Sequence, residues 1–226
     1  MRLITPALVL ISLISTVMAA SPAKTTPAPI ITKVNVTVMY EAYCKESSRF
    51  ITKQLLPTYI LLKDYLIVDL VPYGKTKMKQ APEDSSITFT CHHGPAECAA
   101  NQIHACAIGL YPDQDINVNF VACTLKNRNP EKAVKKCSKE VKADAQKIES
   151  CAASAQGKTL FHQMGLRTMG VKPPVTYIPS VIIDGVFNKK GQKKIQKNFK
   201  ATVCGQLKAP LPKACIVRRW SWLRRS

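Results

Sequence analysis

The chain has 226 residues, 46% of them hydrophobic, with 33 Lys and Arg against 14 Asp and Glu and a formal net charge of +19. That length and apolar content suffice for one domain with an insertion or for two small domains, and they exclude global disorder. The charge favours anionic partners such as acidic glycans, anionic lipid or nucleic acid.

Residues 1–20 read as a signal peptide. Met1-Arg2 gives a positive start, Leu3 to Val17 is almost wholly apolar, and Met18-Ala19-Ala20 offers small residues for cleavage. The apolar run is short for a spanning helix, and no later stretch is long and apolar enough, so no transmembrane anchor is expected. Residues 21–32 form a Pro/Thr-rich linker without periodicity. Nine cysteines follow: Cys44, Cys91, Cys98, Cys106, Cys123, Cys137, Cys151, Cys204 and Cys215. In the oxidising compartment to which a signal peptide leads, such cysteines pair, and an odd count leaves at least one free or joined to another molecule. There is no C-x-x-C, which argues against a cysteine zinc site, so neither a metal nor a cofactor is expected.

Next, Val34, Val36, Val38 and Tyr40 alternate as in a strand and run into Tyr43-Cys44-Lys45-Glu46-Ser47. Ser48 to Leu62 carries Phe50, Ile51, Leu55 and Tyr59 at helical spacing, and Leu66 to Pro72 reads as a second strand. The segment from about 75 to 170 holds six of the nine cysteines, with helices predicted over Ala96–Leu110 and Pro130–Ala153. Beyond Pro173-Pro174 the strand signal returns over Thr176–Ile183. Asp184-Gly185 marks a hairpin turn, Val186-Phe187 starts a returning strand, and Gln192–Leu207 reads as a closing helix with Ile195, Phe199 and Val203 on one face. The order predicts an α/β domain over 33–215, a mixed sheet with a cysteine-rich helical insertion.

Cys44 falls at a helix start, where unpaired N–H groups and the positive dipole end stabilise a thiolate. Position and the odd count favour Cys44 as the free thiol, with the other eight paired and Cys204–Cys215 bridging a Pro-containing loop. Ser47, three residues on, is expected to reach back to the sulfur with its hydroxyl. A dithiol reductase needs a second sulfur to release its mixed disulfide, and a serine cannot supply it. Cys44-Lys45-Glu46-Ser47 therefore runs half a cycle, or a cycle completed by an outside thiol.

Cys91-His92-His93-Gly94-Pro95-Ala96-Glu97-Cys98-Ala99-Ala100-Asn101 through Cys106 resembles the signature C-Q-H-G-x-x-E-C-x-x-N-x-x-x-x-C of the gamma-interferon-inducible lysosomal thiol reductase family. Only His92 departs, standing where glutamine is usual. The resemblance continues through Cys123, Cys137, Ile148-Glu149-Ser150-Cys151, Leu160-Phe161-His162, Pro173-Pro174 and Tyr177-Ile178-Pro179, and covers roughly 34–215. It implies a thioredoxin-like fold, entry into the secretory pathway, and reduction of protein disulfides in acidic compartments by a C-x-x-C pair. The nucleophile position falls on Cys44 and the resolving position on Ser47, where the pattern breaks. It also implies a cis Ile178-Pro179 step facing the cysteine, with the backbone of Ile178 binding extended substrate; Ser180 stands where tryptophan is usual. His93 and Glu97 are read as a brace for the cysteine-rich turn, and His162 as a hydrogen-bonded packing residue. Asn35-Val36-Thr37, at a strand edge, is the one glycosylation sequon.

Lys189, Lys190, Lys193 and Lys194 cluster before and on the last helix, and Arg218, Arg219, Arg224 and Arg225 interleave with tryptophan in the tail at 216–226. This suits anionic membrane or polysaccharide; a secreted protein rarely meets nucleic acid, so none is expected as a partner. Two functions are carried forward. In the first the protein is secreted, retains the fold with impaired or absent turnover, and binds anionic host or microbial surfaces. The alternative is a thiol oxidoreductase, secreted or lysosomal, that forms mixed disulfides with proteins through Cys44 and needs an external thiol.

Overall fold

The computed structural model describes residues 32–81 and 86–216. The expected signal peptide, most of the expected linker and the tail arginines Arg218, Arg219, Arg224 and Arg225 lie outside the described residues. No helix among the described residues is long and apolar enough to cross a membrane.

The valines that alternate in sequence form β1 (Val34–Tyr40), with Val34, Val36 and Val38 buried. β1 is the middle of a three-stranded sheet. β2 (Leu66–Pro72) pairs with it in parallel, Val36 opposite Val68, and β5 (Ser180–Ile183) pairs antiparallel, Val38 opposite Val181. Each outer strand has backbone groups occupied by a glutamine side chain. Val68 N–H donates to Gln114 Oε1 and Gln114 Nε2 donates to Leu66 O; on the other side, Val181 N–H donates to Gln192 Oε1 and Gln192 Nε2 donates back to Val181 O. Such capping occupies part of each edge at which another chain could add a strand.

The helix after Cys44 starts earlier than its apolar spacing indicates. It comprises α1 (Lys45–Phe50), one wide π-helical turn over Ile51–Leu55, and α2 (Leu56–Leu62). Pro57 accounts for the wide turn, because a proline lacks the N–H for a regular bond and crowds the carbonyl four residues back. The insertion opens with a hairpin that periodicity did not signal, β3 (Lys77–Gln80) and β4 (Ile87–Thr90). Helices α3 (Pro95–Leu110) and α4 (Gln114–Leu125) follow.

The helix predicted over Pro130–Ala153 is in fact three pieces: a 3-10 turn at Pro130–Ala133, α5 (Val134–Glu140) and α6 (Ala145–Ala152). Lys142 turns left-handed at φ 58, and Asp144 caps a new helix by accepting from Lys147 N–H at 3.1 Å. α7 (Ala155–Met169) and α6 both pack on α3.

After β5, Asp184 and Gly185 take positive φ and make the expected turn, but the returning strand is confined to the Ile183–Val186 bridge. Phe187 is buried instead, and Gln192 occupies the β5 backbone groups that a further strand would need. The closing helix is likewise split at Asn198 into α8 (Gln192–Lys197) and α9 (Phe199–Gln206). Phe199 packs edge-on against Phe50 with ring centroids 5.3 Å apart, joining α9 to the helix of Cys44.

Under the sheet, His104 of α3 links β1 to α4. Thr124 donates its hydroxyl to Val121 O, so it accepts from His104 Nε2 at 2.8 Å; the other ring nitrogen, Nδ1, then accepts from the Tyr40 hydroxyl at 3.0 Å. Burial pushes His104 down to about 3 and keeps it neutral.

Candidate functional site

Cys44 is the N-cap of α1, with extended backbone, and it is the one free cysteine among the described residues. The other eight are joined as Cys91–Cys98, Cys106–Cys151, Cys123–Cys137 and Cys204–Cys215. The sulfur is half-buried. It lies 3.8 Å from the carbonyl oxygen of Ile178, at the cis Ile178–Pro179 step, and 4.0 Å from a carboxylate oxygen of Glu46. α8 pins this step, since Gln196 Nε2 donates to Pro179 O at 2.6 Å.

Ser47 does not reach the sulfur as expected. It is fully buried, and its hydroxyl accepts from the backbone N–H of Glu41 at 3.3 Å. The turn entering the helix draws the side chain inward. Ser180 is also buried, donating to Tyr177 O at 2.7 Å.

The signature residues form the support of this turn. Asn101 accepts from Ala42 N–H at 2.9 Å, which ties the segment before Cys44 to α3. Gly94, at φ +88, caps α3 and turns the chain out of the Cys91–Cys98 loop. Glu97 braces His93, accepting its backbone N–H at 3.2 Å and pairing with Nδ1 at 2.6 Å. A buried carboxylate that the sequence reading overlooked, Glu41, faces both His92 and His93 and adds an imidazole–carboxylate cluster able to take a metal ion. Its signal lay in its place, three residues before Cys44, but no local pattern marks its partners.

Basic residues line the approach to Cys44. A groove of about 880 Å³ runs beside the thiol, bordered by Lys45, Arg49, Lys53, Lys126 and Arg128 and by no acidic residue. Arg49 and Lys53 also line a neighbouring groove with Lys193 and Lys197. None of these seven cations is ion-paired among the described residues. Of the lysines singled out by sequence, Lys193 thus joins the thiol face. Lys194 lies in a separate groove with Asp184, and Lys189 and Lys190 are exposed in the turn before α8. Arg49 and Lys53, one helical turn apart, lie 75 or more residues from Arg128 and about 140 from Lys193, and each by itself looks like ordinary surface charge.

Two further readings need correction. Asn35 sits on the central strand rather than at an edge; it is exposed, and its backbone N–H donates to Asp184 Oδ1 at 2.8 Å. His162 is half-buried on α7 and makes no side-chain hydrogen bond among the described residues.

The model of the family described as "Gamma interferon inducible lysosomal thiol reductase (GILT)" matches residues 35–141. "GILT-like protein 1" of Drosophila melanogaster is 33% identical over 198 residues, covering 81% of this chain and 78% of that protein. The "Gamma-interferon-inducible lysosomal thiol reductase" of Carassius auratus is 32% identical over 184 residues, covering 80% and 72%. In fold the chain is similar to the crystal structure of Chlamydia trachomatis DsbA, with a TM-score of 0.53 at 11% identity, covering 81% of this chain and 93% of that one.

Proposed function

The chain belongs to the gamma-interferon-inducible lysosomal thiol reductase family, and on that premise we propose that it is a thiol–disulfide oxidoreductase working through one sulfur, Cys44, and depending on an external thiol. The observation that carries this is the pairing of a half-exposed free Cys44, facing the Ile178 carbonyl, with a buried Ser47 at the resolving position. The Cys44 thiolate attacks one sulfur of a substrate disulfide. The substrate S–S bond breaks, a Cys44–substrate mixed disulfide forms, and the second substrate sulfur leaves as a thiolate and takes a proton. With every other described cysteine in a disulfide, an external thiolate must attack this intermediate and free the substrate. A second external thiol then restores Cys44, so two external thiols are oxidised to one disulfide per cycle.

The unpaired cations beside Cys44 favour protein substrates with acidic residues near the disulfide. They also support the second reading, in which the basic face holds the protein on anionic glycan, membrane or microbial surfaces. The compartment follows from the same reading: secreted or lysosomal, with a signal peptide over 1–20 and a glycan accepted at Asn35.

The test is reduction of insulin disulfides at acidic and neutral pH, with and without small thiol. We expect no multiple turnover without added thiol, slow cycling with it, and a higher rate in Ser47→Cys. Efficient reduction by the unaltered protein without added thiol would overturn the one-sulfur mechanism. Binding to anionic vesicles or heparin that is lost at high salt while turnover is absent under all conditions would favour the second reading.

A further inference from the structure

We infer that Glu41, His92 and His93 form a binding site for a first-row divalent cation, zinc being the best fit, on the insert-facing side of the turn that carries Cys44. Glu41 is 1% exposed, yet it faces no lysine or arginine within ion-pair distance among the described residues. One of its oxygens is committed, because Oε1 accepts the backbone N–H of Lys75 at 2.7 Å. Gly74 makes room for that contact; a Cβ there would stand 2.2 Å from Glu41 Cγ. The other oxygen, Oε2, is left pointing at two imidazoles, 3.4 Å from His92 Nδ1 and 3.5 Å from His93 Nδ1. Donors about 2.0–2.2 Å from a tetrahedral zinc stand about 3.3–3.6 Å from one another. These two separations have that spacing, and one ligand atom from each of the three residues lies within 4.8 Å of the others.

Charge points the same way. Glu97 is 0% exposed, has no cationic partner other than His93 among the described residues, and places Oε2 2.6 Å from His93 Nδ1. Besides one backbone N–H each, from Lys75 and from His93, the two buried carboxylates face these two imidazoles. A divalent ion set among these carboxylate oxygens and imidazole nitrogens would bring a positive charge to a buried acidic pair. An ion on His93 Nδ1 replaces the hydrogen bond to Glu97 and brings that carboxylate within reach as a further oxygen donor. His92 and His93 are 47% and 37% exposed, so the ion has an entry path and keeps a position for water. Two imidazoles with carboxylate oxygen suit zinc and its first-row neighbours better than magnesium or calcium.

The test uses the full chain carrying Cys44→Ala, so that no free thiol competes as a ligand, titrated with zinc chloride by calorimetry at neutral pH. We expect one zinc per chain, weakened at least about tenfold by His92→Gln and by Glu41→Gln. A glutamine at 92 restores the residue usual in the family signature, which protects the fold. Circular dichroism and retention of all four disulfides check this for both variants. Cobalt(II) as an optical probe should give the absorption of a nitrogen- and oxygen-ligated ion, lost in His92→Gln. No zinc uptake at micromolar concentrations, or affinity unchanged in a folded His92→Gln protein, would overturn the site. A folded protein that binds zinc as expected while lacking disulfide reductase activity would leave this site standing and remove only the thiol mechanism.

Discussion

The thiol face and the helical insertion of this molecule are built on opposite principles. The insertion contains three of the four disulfides, whereas the face around Cys44 has no disulfide among the described residues and buries serines at positions 47 and 180. Cross-links hold the frame by restricting the unfolded chain. The face they support carries one free sulfur, a few hydrogen bonds from the frame and a field of cations with no ion-pair partner among the described residues. The two regions meet at Asn101 and Glu41, through which α3 and the Cys91–Cys98 turn hold the segment entering the Cys44 helix. On the proposed mechanism structure and chemistry are separable here, and a variant should remove one while leaving the other.

The largest separation should come from Cys44→Ala. It should abolish both mixed-disulfide formation and thiol-dependent insulin reduction, as followed by mass spectrometry and turbidity, while the thermal midpoint moves little. Activity surviving in this variant would place the chemistry elsewhere. The converse change is Cys106→Ser with Cys151→Ser, which opens a loop of 45 residues. We expect a loss of about 4 kcal/mol in denaturant unfolding, with Cys44 still alkylated by iodoacetamide at a rate near that of the unaltered protein when folded.

His104 offers a pH test of the frame alone. Its pKa in the folded protein lies near 3, against an ordinary 6.5. The unfolded chain therefore binds a proton that the folded one refuses, and stability is present above pH 6.5 and lost as pH falls toward 3. Between pH 7 and pH 5 this amounts to about 2 kcal/mol. His104→Gln should start from a lower stability but show a flatter pH dependence over that interval, as measured by chemical denaturation. An unchanged slope would mean that other groups govern acid stability. The smallest effect is electrostatic. Arg49→Gln with Lys53→Gln should raise KM for an acidic disulfide peptide by about threefold to tenfold at low salt, with kcat little changed, and the difference should shrink as salt rises. An equal effect on a neutral peptide would show that these residues position the thiol rather than attract the substrate.

Much of the architecture could be read locally. β1 and β2 follow from alternation and β-branched runs, and Cys44 at a helix start follows from strand, cysteine and helix in succession. Breaks inside helices were harder to see. Ala, Lys, Glu and Gln favour helix throughout Pro130–Ala153, and the break is set by one left-handed lysine and one aspartate cap. The returning strand failed for another reason: the turn formed as predicted, but Gln192 occupied the partner groups and Phe187 went into the core.

The sequence by itself determined the family, the single sulfur at position 44 and the absence of a second at 47, because these depend on residue identity at short, fixed spacing. Its odd cysteine count also required at least one sulfur without a partner in the same chain. Tertiary structure alone decided what each of these residues faces. Glu41 meets His92 and His93 across about fifty residues of chain, Arg49 and Lys53 meet Lys193 across about 140, and Ser47 turns to the Glu41 backbone rather than to sulfur. Charge and hydrogen bonding act through space, over a few ångströms, and it is packing of the sheet against its helices that selects which distant side chains come within that range.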